Sequence, residues 1–298
     1  MGKRNDSTNS YLLTPNSYGC LYVVGTPIGN LEDITLRAIR ILKEAHCILC
    51  EDKRITRKLL NHYQIKTKLI TFQKFNERSI ENQILQLLAE GKNLALVSDA
   101  GMPLVSDPGE SLIALLRKKE VKVVSVPGVS SLTSALSLFG MPEGEILFFG
   151  FLPSEKGKRK KILLSLESRS RNVIFFISPH DLKKYLGEIK ELYPDVNVYL
   201  AKELTKIHEE CFLGQVSDVE MFLNSKFSSR VKGEYVVGLN FEVNDGPVLI
   251  DNKKINNELN NFISEGFSLK EASKIVGNKY NLSKNQLYDG YVKNKKRG

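Results

Sequence analysis

Short apolar runs alternate with amphipathic segments along most of this chain, and that alternation constrains the fold more than any other feature. In the first half the runs cover 20–24, 47–50, 68–71, 94–97 and 121–126. Between them lie segments of helical period at about 33–45, 53–61, 77–90, 109–118 and 130–138. Continuous apolar strands joined by helices are what a mainly parallel sheet covered on both faces requires, because each crossover lays a helix on one face or the other. The breakers in Gly140-Met-Pro-Glu-Gly144 end this pattern. The second half starts again with strands predicted at 146–149, 173–177, 196–201, 210–213 and 235–239, and helices at 157–167, 181–191 and 217–224. Fewer helices separate its last strands, which predicts antiparallel pairing there.

Length and composition set the domain plan. A chain of 298 residues with 42% hydrophobic and 26% charged residues has the material for two globular cores. The reading is a polar tail at 1–18, an α/β domain at 19–141, a second α/β domain at 145–245 and a basic helical extension at 251–298. The polar start lacks the apolar centre of a signal peptide, and no run is long enough to span a bilayer, so the expected location is cytoplasmic, without membrane contact. Of the four cysteines, Cys47 and Cys50 form a Cys-x-x-Cys, but on a strand residues three apart point to opposite faces. No metal or redox disulfide is therefore expected, and the four histidines show no ligand spacing.

The formal charge of +9 is local. Residues 154–161 carry five basic and one acidic side chain, residues 251–298 carry ten and five, and the remainder is neutral. Two basic outcrops on a neutral body suit contact with an anionic partner, and by charge alone they equally suit solvated loops. In the tail, Ser268-Leu-Lys-Glu271 and Ser283-Lys-Asn-Gln286 read as capping boxes, with Gly277 ending the first helix between them. Two short capped helices of this kind resemble a helix-turn-helix.

Three loops follow strands of the first domain: Gly25-Thr-Pro-Ile-Gly-Asn30, a second running from Ser98 to Gly109, and Pro127-Gly-Val-Ser-Ser-Leu132. In an open parallel sheet they share the carboxyl edge, where ligands bind. None is a dinucleotide fingerprint or a Walker loop, which excludes a dehydrogenase and a nucleotide phosphate cradle. Glycine, proline, small hydroxyls and an acid suit an uncharged or zwitterionic ligand read by main-chain groups. Asp99, at a strand end before a glycine turn, reads as a ligand contact. Asp107 reads as a helix N-cap followed by Pro108 at the first helical position. The polar clusters Glu51-Asp-Lys-Arg54 and Lys202-Glu-Leu-Thr-Lys206 read as salt-bridged turns by composition.

Five motifs in order, beginning G-T-P-I-G-N-L-E-D, E-D-K-R, S-D-A-G-M-P-L-V-S-D-P-G, V-P-G-V-S-S and K-E-L-T-K, resemble the tetrapyrrole-methylase superfamily. Within it they are most similar to the bacterial small-subunit (16S) ribosomal RNA cytidine 2′-O-methyltransferases. The resemblance implies a two-domain fold with an S-adenosylmethionine cleft between the domains, a homodimer, and methylation of a cytidine ribose in the small ribosomal subunit. It places Thr26, Pro27, Asp99, Gly101, Met102, Val105, Ser130 and Ser131 on donor-binding loops. The chain departs from the family's usual residues at Lys53, Met102 and Lys202. Removal of the ribose proton has five candidate helpers: Asp99, Glu51, Lys202, Glu203 and Glu234. Expected phosphate contacts are Lys156, Lys158, Arg159, Lys160 and Lys161, with Lys284, Lys293, Lys295, Lys296 and Arg297 in the tail. The rivals are a tetrapyrrole methylase, which the basic outcrops disfavour, and a non-catalytic RNA-binding assembly factor on the same fold.

Overall fold

A computed structural model describes residues 18–167, 169–226, 233–241, 252–280 and 282–295. The expected tail at 1–17 and the expected contacts Lys296 and Arg297 lie outside the described residues. The chain divides into two compact units, Met1–Ser130 and Ser131–Gly298.

The first unit is a parallel sheet in the order β3-β2-β4-β1-β5, built from β1 (Leu21–Val24), β2 (Cys47–Cys50), β3 (Lys68–Thr71), β4 (Leu94–Leu96) and β5 (Val123–Val126). Helices α1 (Leu36–Glu44) and α2 (Lys53–His62) bury Ala38, Ile41, Leu42, Leu59 and Leu60 with Ile48, Cys50 and Ala95 on one face. Helices α3 (Glu77–Ala89) and α4 (Glu110–Lys118) bury Ile84, Leu88, Leu112 and Leu116 with Cys47, Leu49 and Leu96 on the other. Cys47 and Cys50 thus face opposite cores, as the strand period predicts, and burial raises both thiol pKa values. Such thiols are inert.

The helix starts follow local chemistry. Thr35 and Asp52 accept the Ala38 and Arg54 amides and cap α1 and α2. Helix α4 differs from the sequence reading. Its N-cap is Gly109 at φ 124°, so Asp107 stands outside the helix. The α4 amides are met instead by the buried Glu77 carboxylate of α3, which accepts from Leu112 N at 3.1 Å.

The second unit opens with α5 (Ser131–Phe139) and a mixed sheet in the order β6-β7-β10-β8-β9. Its strands are β6 (Ile146–Phe151), β7 (Asn172–Ile177), β8 (Asn197–Lys202), β9 (Glu210–Gln215) and β10 (Tyr235–Asn240). Only β6 and β7 pair in parallel, and the other pairs are antiparallel, as the shortage of late helices predicts. Helices α6 (Lys156–Leu164), α7 (Leu182–Leu192) and α8 (Val216–Lys226) cover one face over Phe175, Val198, Leu200 and Val237. Helix α5 packs on β10 across the other face, where a Cβ on Gly238 would lie 3.1 Å from the Phe139 ring. The Gly140–Gly144 connection is tied down by Asn172, whose buried amide donates to Pro142 O and accepts from Asn240, each at 2.9 Å.

Helices α9 (Asn252–Ser264), α10 (Leu269–Tyr280) and α11 (Lys284–Lys295) form the extension around Ile255, Leu259, Ala272 and Val276. The Ser268 box closes both ways: Ser268 N donates to Glu271 at 2.8 Å and Glu271 N to Ser268 Oγ at 3.3 Å. Gly277 does not end α10 but sits inside it. A Cβ there would lie 2.8 Å from the Leu282 carbonyl, so the glycine admits the returning chain rather than breaking the helix.

Candidate active site

The carboxyl edge of the first sheet gathers the loops that follow β1, β2, β4 and β5. The loop after β1 and the loop after β4 are joined by a two-way backbone pair. Thr26 N donates to Gly101 O at 2.9 Å, and Gly101 N to Thr26 O at 3.1 Å. The Thr26 hydroxyl is buried and donates to Ser98 O at 3.2 Å, so this side chain also braces the two loops against each other. The loop after β5 lies directly on the loop after β1. A Cβ on Gly25 would meet Gly128 N and Cα at 2.8 Å and the Met102 sulfur at 2.7 Å. Two glycines in backbone contact let the two loops pack directly on each other, and a side chain at either one would push them apart.

The loop from Ser98 to Gly109 is strained. Leu104 and Ser106, neither of them glycine, sit at φ 74° and 75°, beside Gly101 at 77°. Left-handed residues persist where the surroundings over-determine them, and they concentrate at binding sites. Pro27 is buried, Val105 is exposed, and Met102, Ser130 and Ser131 are half-buried.

Three carboxyls cluster on this edge. Burial, then the charges of Asp107 and Asp99, push Glu51 up to about 7. Burial pushes Asp107 up to about 6 against a stabilising Ser98 hydrogen bond, with Asp99 adding to the rise. Asp99 is raised by burial, although its Oδ1 accepts the Asp52 amide at 3.1 Å. Asp52 itself is held at about 2 by hydrogen bonds from Arg54. The sequence reading missed Asp107 as a member of this group. The available signal was Gly109: a glycine two residues after the aspartate moves the helix start past it. Among the described residues no His, Cys, Asp or Glu group is arranged to hold a metal.

The candidates of the second unit are engaged differently. Glu203 and Thr205 take φ 51° and 66°. Glu203 Oε1 accepts from Glu234 N and from Lys206 Nζ, each at 2.9 Å. Burial raises the Glu203 carboxyl, but those hydrogen bonds outweigh it and hold the group below its usual range. Lys206 also pairs with Glu234 at 3.2 Å, and Lys202 pairs with Glu210 at 3.2 Å. These side chains form an ion-pair network that fixes the strained turn.

The basic run on α6 corrects one expectation. Arg159 is fully buried. Its guanidinium makes two 2.7 Å bonds to Glu188, donates to Pro153 O and Ser154 O, and stacks on Tyr185 at 4.2 Å. It is therefore a core ion pair and no phosphate contact. The signal was its place four residues before Leu163, on the inward face of the helix. Lys158 pairs with Glu155 at 2.8 Å, Lys160 with Glu265 at 2.6 Å, and Lys161 lies over the Phe267 ring. The two lysine pairs are exposed, which leaves the cations accessible. Lys284 and Lys293 are exposed on α11, and Lys295 ends that helix.

A parallel sheet whose carboxyl edge gathers glycine-rich loops, followed by a mixed sheet, defines a two-part α/β protein with a candidate ligand edge on its first sheet. The chain belongs to the family of tetrapyrrole (corrin/porphyrin) methylases, whose model matches residues 20–220. Over 276 residues it is 37% identical to the "Ribosomal RNA small subunit methyltransferase I" of Halalkalibacterium halodurans, spanning 92% of this chain and 94% of the relative. The protein of the same name from Thermotoga maritima is 48% identical over 200 residues, 67% of this chain and 90% of that one. Among solved structures, a cobalt precorrin-4 methyltransferase of cobalamin biosynthesis superposes with TM-score 0.56 at 18% identity, covering 74% of this chain and 94% of its own. A Thermus thermophilus uroporphyrin-III C-methyltransferase complexed with S-adenyl homocysteine superposes at 0.52 with 20% identity, covering 74% and 97%. At these identities the structural neighbours show the fold.

Proposed function

We propose that this chain transfers a methyl group from S-adenosylmethionine to the ribose 2′-oxygen of a cytidine in 16S ribosomal RNA, as a cytoplasmic homodimer. The observation that carries this reading is the near full-length identity to relatives named for methylation of small-subunit ribosomal RNA. The tetrapyrrole enzymes are similar in fold alone. Among the described residues no helix is long and apolar enough to cross a membrane.

The residues present fit the donor. The Gly25–Gly128 contact brings the loops after β1 and β5 together, and the strained loop carrying Gly101, Met102 and Val105 is bridged to them through Thr26. Thr26, Pro27, Asp99, Ser130 and Ser131 complete the binding set. The donor supplies an electrophilic methyl carbon on a sulfonium sulfur. The chain's part is to align the acceptor oxygen with that carbon, and orientation of this kind accounts for much of the rate.

The ribose hydroxyl loses its proton as its oxygen bonds to the methyl carbon and the carbon–sulfur bond breaks. Glu51 is the proposed acceptor of that proton. Its support is a carboxyl held near neutrality by burial and by Asp107 and Asp99, the range in which a base works best at physiological pH. Lys202, Glu203 and Glu234 serve instead to hold their own turn. Lys156, Lys158, Lys160, Lys161, Lys284, Lys293 and the end of the tail are proposed to hold RNA phosphates. The test is ribose-methylation mapping at nucleotide resolution in ribosomal RNA from cells with and without this protein. Loss of one cytidine 2′-O-methyl in the small subunit is expected, and an unchanged map overturns the reading.

A further inference from the structure

We propose that the loop between β3 and α3 is an RNA platform on which Phe75 stacks an unpaired nucleobase while Lys74 and Arg78 hold the flanking phosphates. The inference rests on the ribosomal RNA reading above. Phe75 is 85% exposed and is the most exposed phenylalanine or tyrosine ring among the described residues. Mobility does not explain it, because the loop is pinned on both sides. Phe72 is fully buried, and its amide donates to Cys50 O at 2.8 Å. Asn76 accepts from Gln73 N at 2.7 Å and donates to Thr71 O at 3.1 Å. The next residue, Glu77, is buried against the start of α4. A ring held outward by such a frame is pre-organised to meet a partner.

The loop's position connects it to the active edge. Thr71 pairs with Cys50, so Phe72 lies level with Glu51 at the head of the carboxyl cluster. The platform then continues outward from β3, the last strand on that side of the sheet. Apart from Tyr18, the exposed large apolar residues described in the first unit are Leu36, Ile55, Phe75 and Val105, and each follows a strand onto this same edge.

The surroundings favour nucleic acid over protein. Lys74 and Arg78 flank the ring and are exposed, as are Lys53 and Arg54 on the first turn of α2. Sequence-tolerant recognition of single strands combines an aromatic face for a base with cations for the backbone.

The test compares Phe75→Ala, Phe75→Leu and Phe75→Trp. Two readouts are used: methylation of small ribosomal subunits from cells lacking the protein, and quenching of a single-stranded oligoribonucleotide containing 2-aminopurine. Phe75→Ala is expected to weaken RNA binding about 5- to 150-fold, the range that corresponds to removing one stacked base. It should raise KM for the subunit and leave donor affinity unchanged by calorimetry. Trp should restore binding and Leu should not. Unchanged binding by the Ala variant overturns the platform. Rescue by Leu as good as by Trp also overturns it, and identifies an apolar protein contact instead. Absence of methyl transfer by the wild-type protein strikes at the ribosomal reading, whereas the quenching arm judges the platform independently of that activity.

Discussion

Replacing Glu51 by Gln tests the carboxyl cluster directly. The folded chain raises this group from 4.5 to about 7, chiefly by burial and then through Asp107 and Asp99. A raised carboxyl binds its proton more tightly in the folded state than in the unfolded one. Its penalty is therefore absent below about pH 4.5, grows as pH rises, and is complete above about pH 7. The full shift corresponds to a ceiling of roughly 3 kcal/mol, and because Glu51 is only partly buried, screening by solvent reduces this to about 1–2 kcal/mol. Glu51→Gln should thus match the wild type in thermal stability at pH 4.5 and exceed it at pH 8 by about 1–2 kcal/mol. In a chain of this size that gain is of the order of 2–8 °C in Tm. Comparing two proteins across the same pH series cancels Asp52, Glu188 and the other groups that do not act on Glu51, and leaves Glu51 together with its coupling to Asp107 and Asp99. The gain should shrink in an Asp107→Asn background, where one of the opposing charges is gone. In a subunit-methylation assay the same variant should lose turnover with little change in donor affinity. A stability difference independent of pH, or a less stable variant at pH 8, would refute the electrostatic reasoning.

Three further outcomes follow from packing and charge. Gly25→Ala should lower donor affinity by calorimetry and thermal stability together, because its Cβ would stand 2.8 Å from the Gly128 backbone and push the two loops apart. Arg159→Ala should destabilise the protein by about 3–5 kcal/mol in urea titration, since it leaves Glu188 and two carbonyls of a buried network without their donor. Neutralising Lys158 and Lys160 should leave stability almost unchanged, and should reduce the log–log salt slope of RNA binding by about 0.7 for each phosphate no longer neutralised.

The motifs and elements were legible because they are local. Each strand of the first sheet lies within its apolar run, and Cys47–Cys50 and Lys68–Thr71 match their runs end to end. The opposed faces of Cys47 and Cys50 follow from the period of a strand, and the Ser268 box from a spacing of three residues. Antiparallel pairing in the second sheet follows from the lack of helices to cross over. The glycine-rich loops were legible for the same reason, since parallel strands deliver their carboxyl ends to one edge.

Long-range pairing was not legible. The sequence by itself determined two α/β sheets, a helical extension, and which loops meet at the first carboxyl edge. Only the tertiary structure decided which charges act. It buried Arg159 against Glu188, twenty-nine residues away, and left Lys158 and Lys160 exposed. It freed Asp107 from the helix and set it beside Glu51, fifty-six positions earlier in the chain. It turned Gly277 from a helix end into a point of close approach, and it held Phe75 out on a rigid loop. The physical reason is common to these cases. Backbone periodicity is written in neighbouring residues, whereas a side chain's ionisation and exposure depend on solvent exclusion and on partners that only the packed chain brings within a few ångströms.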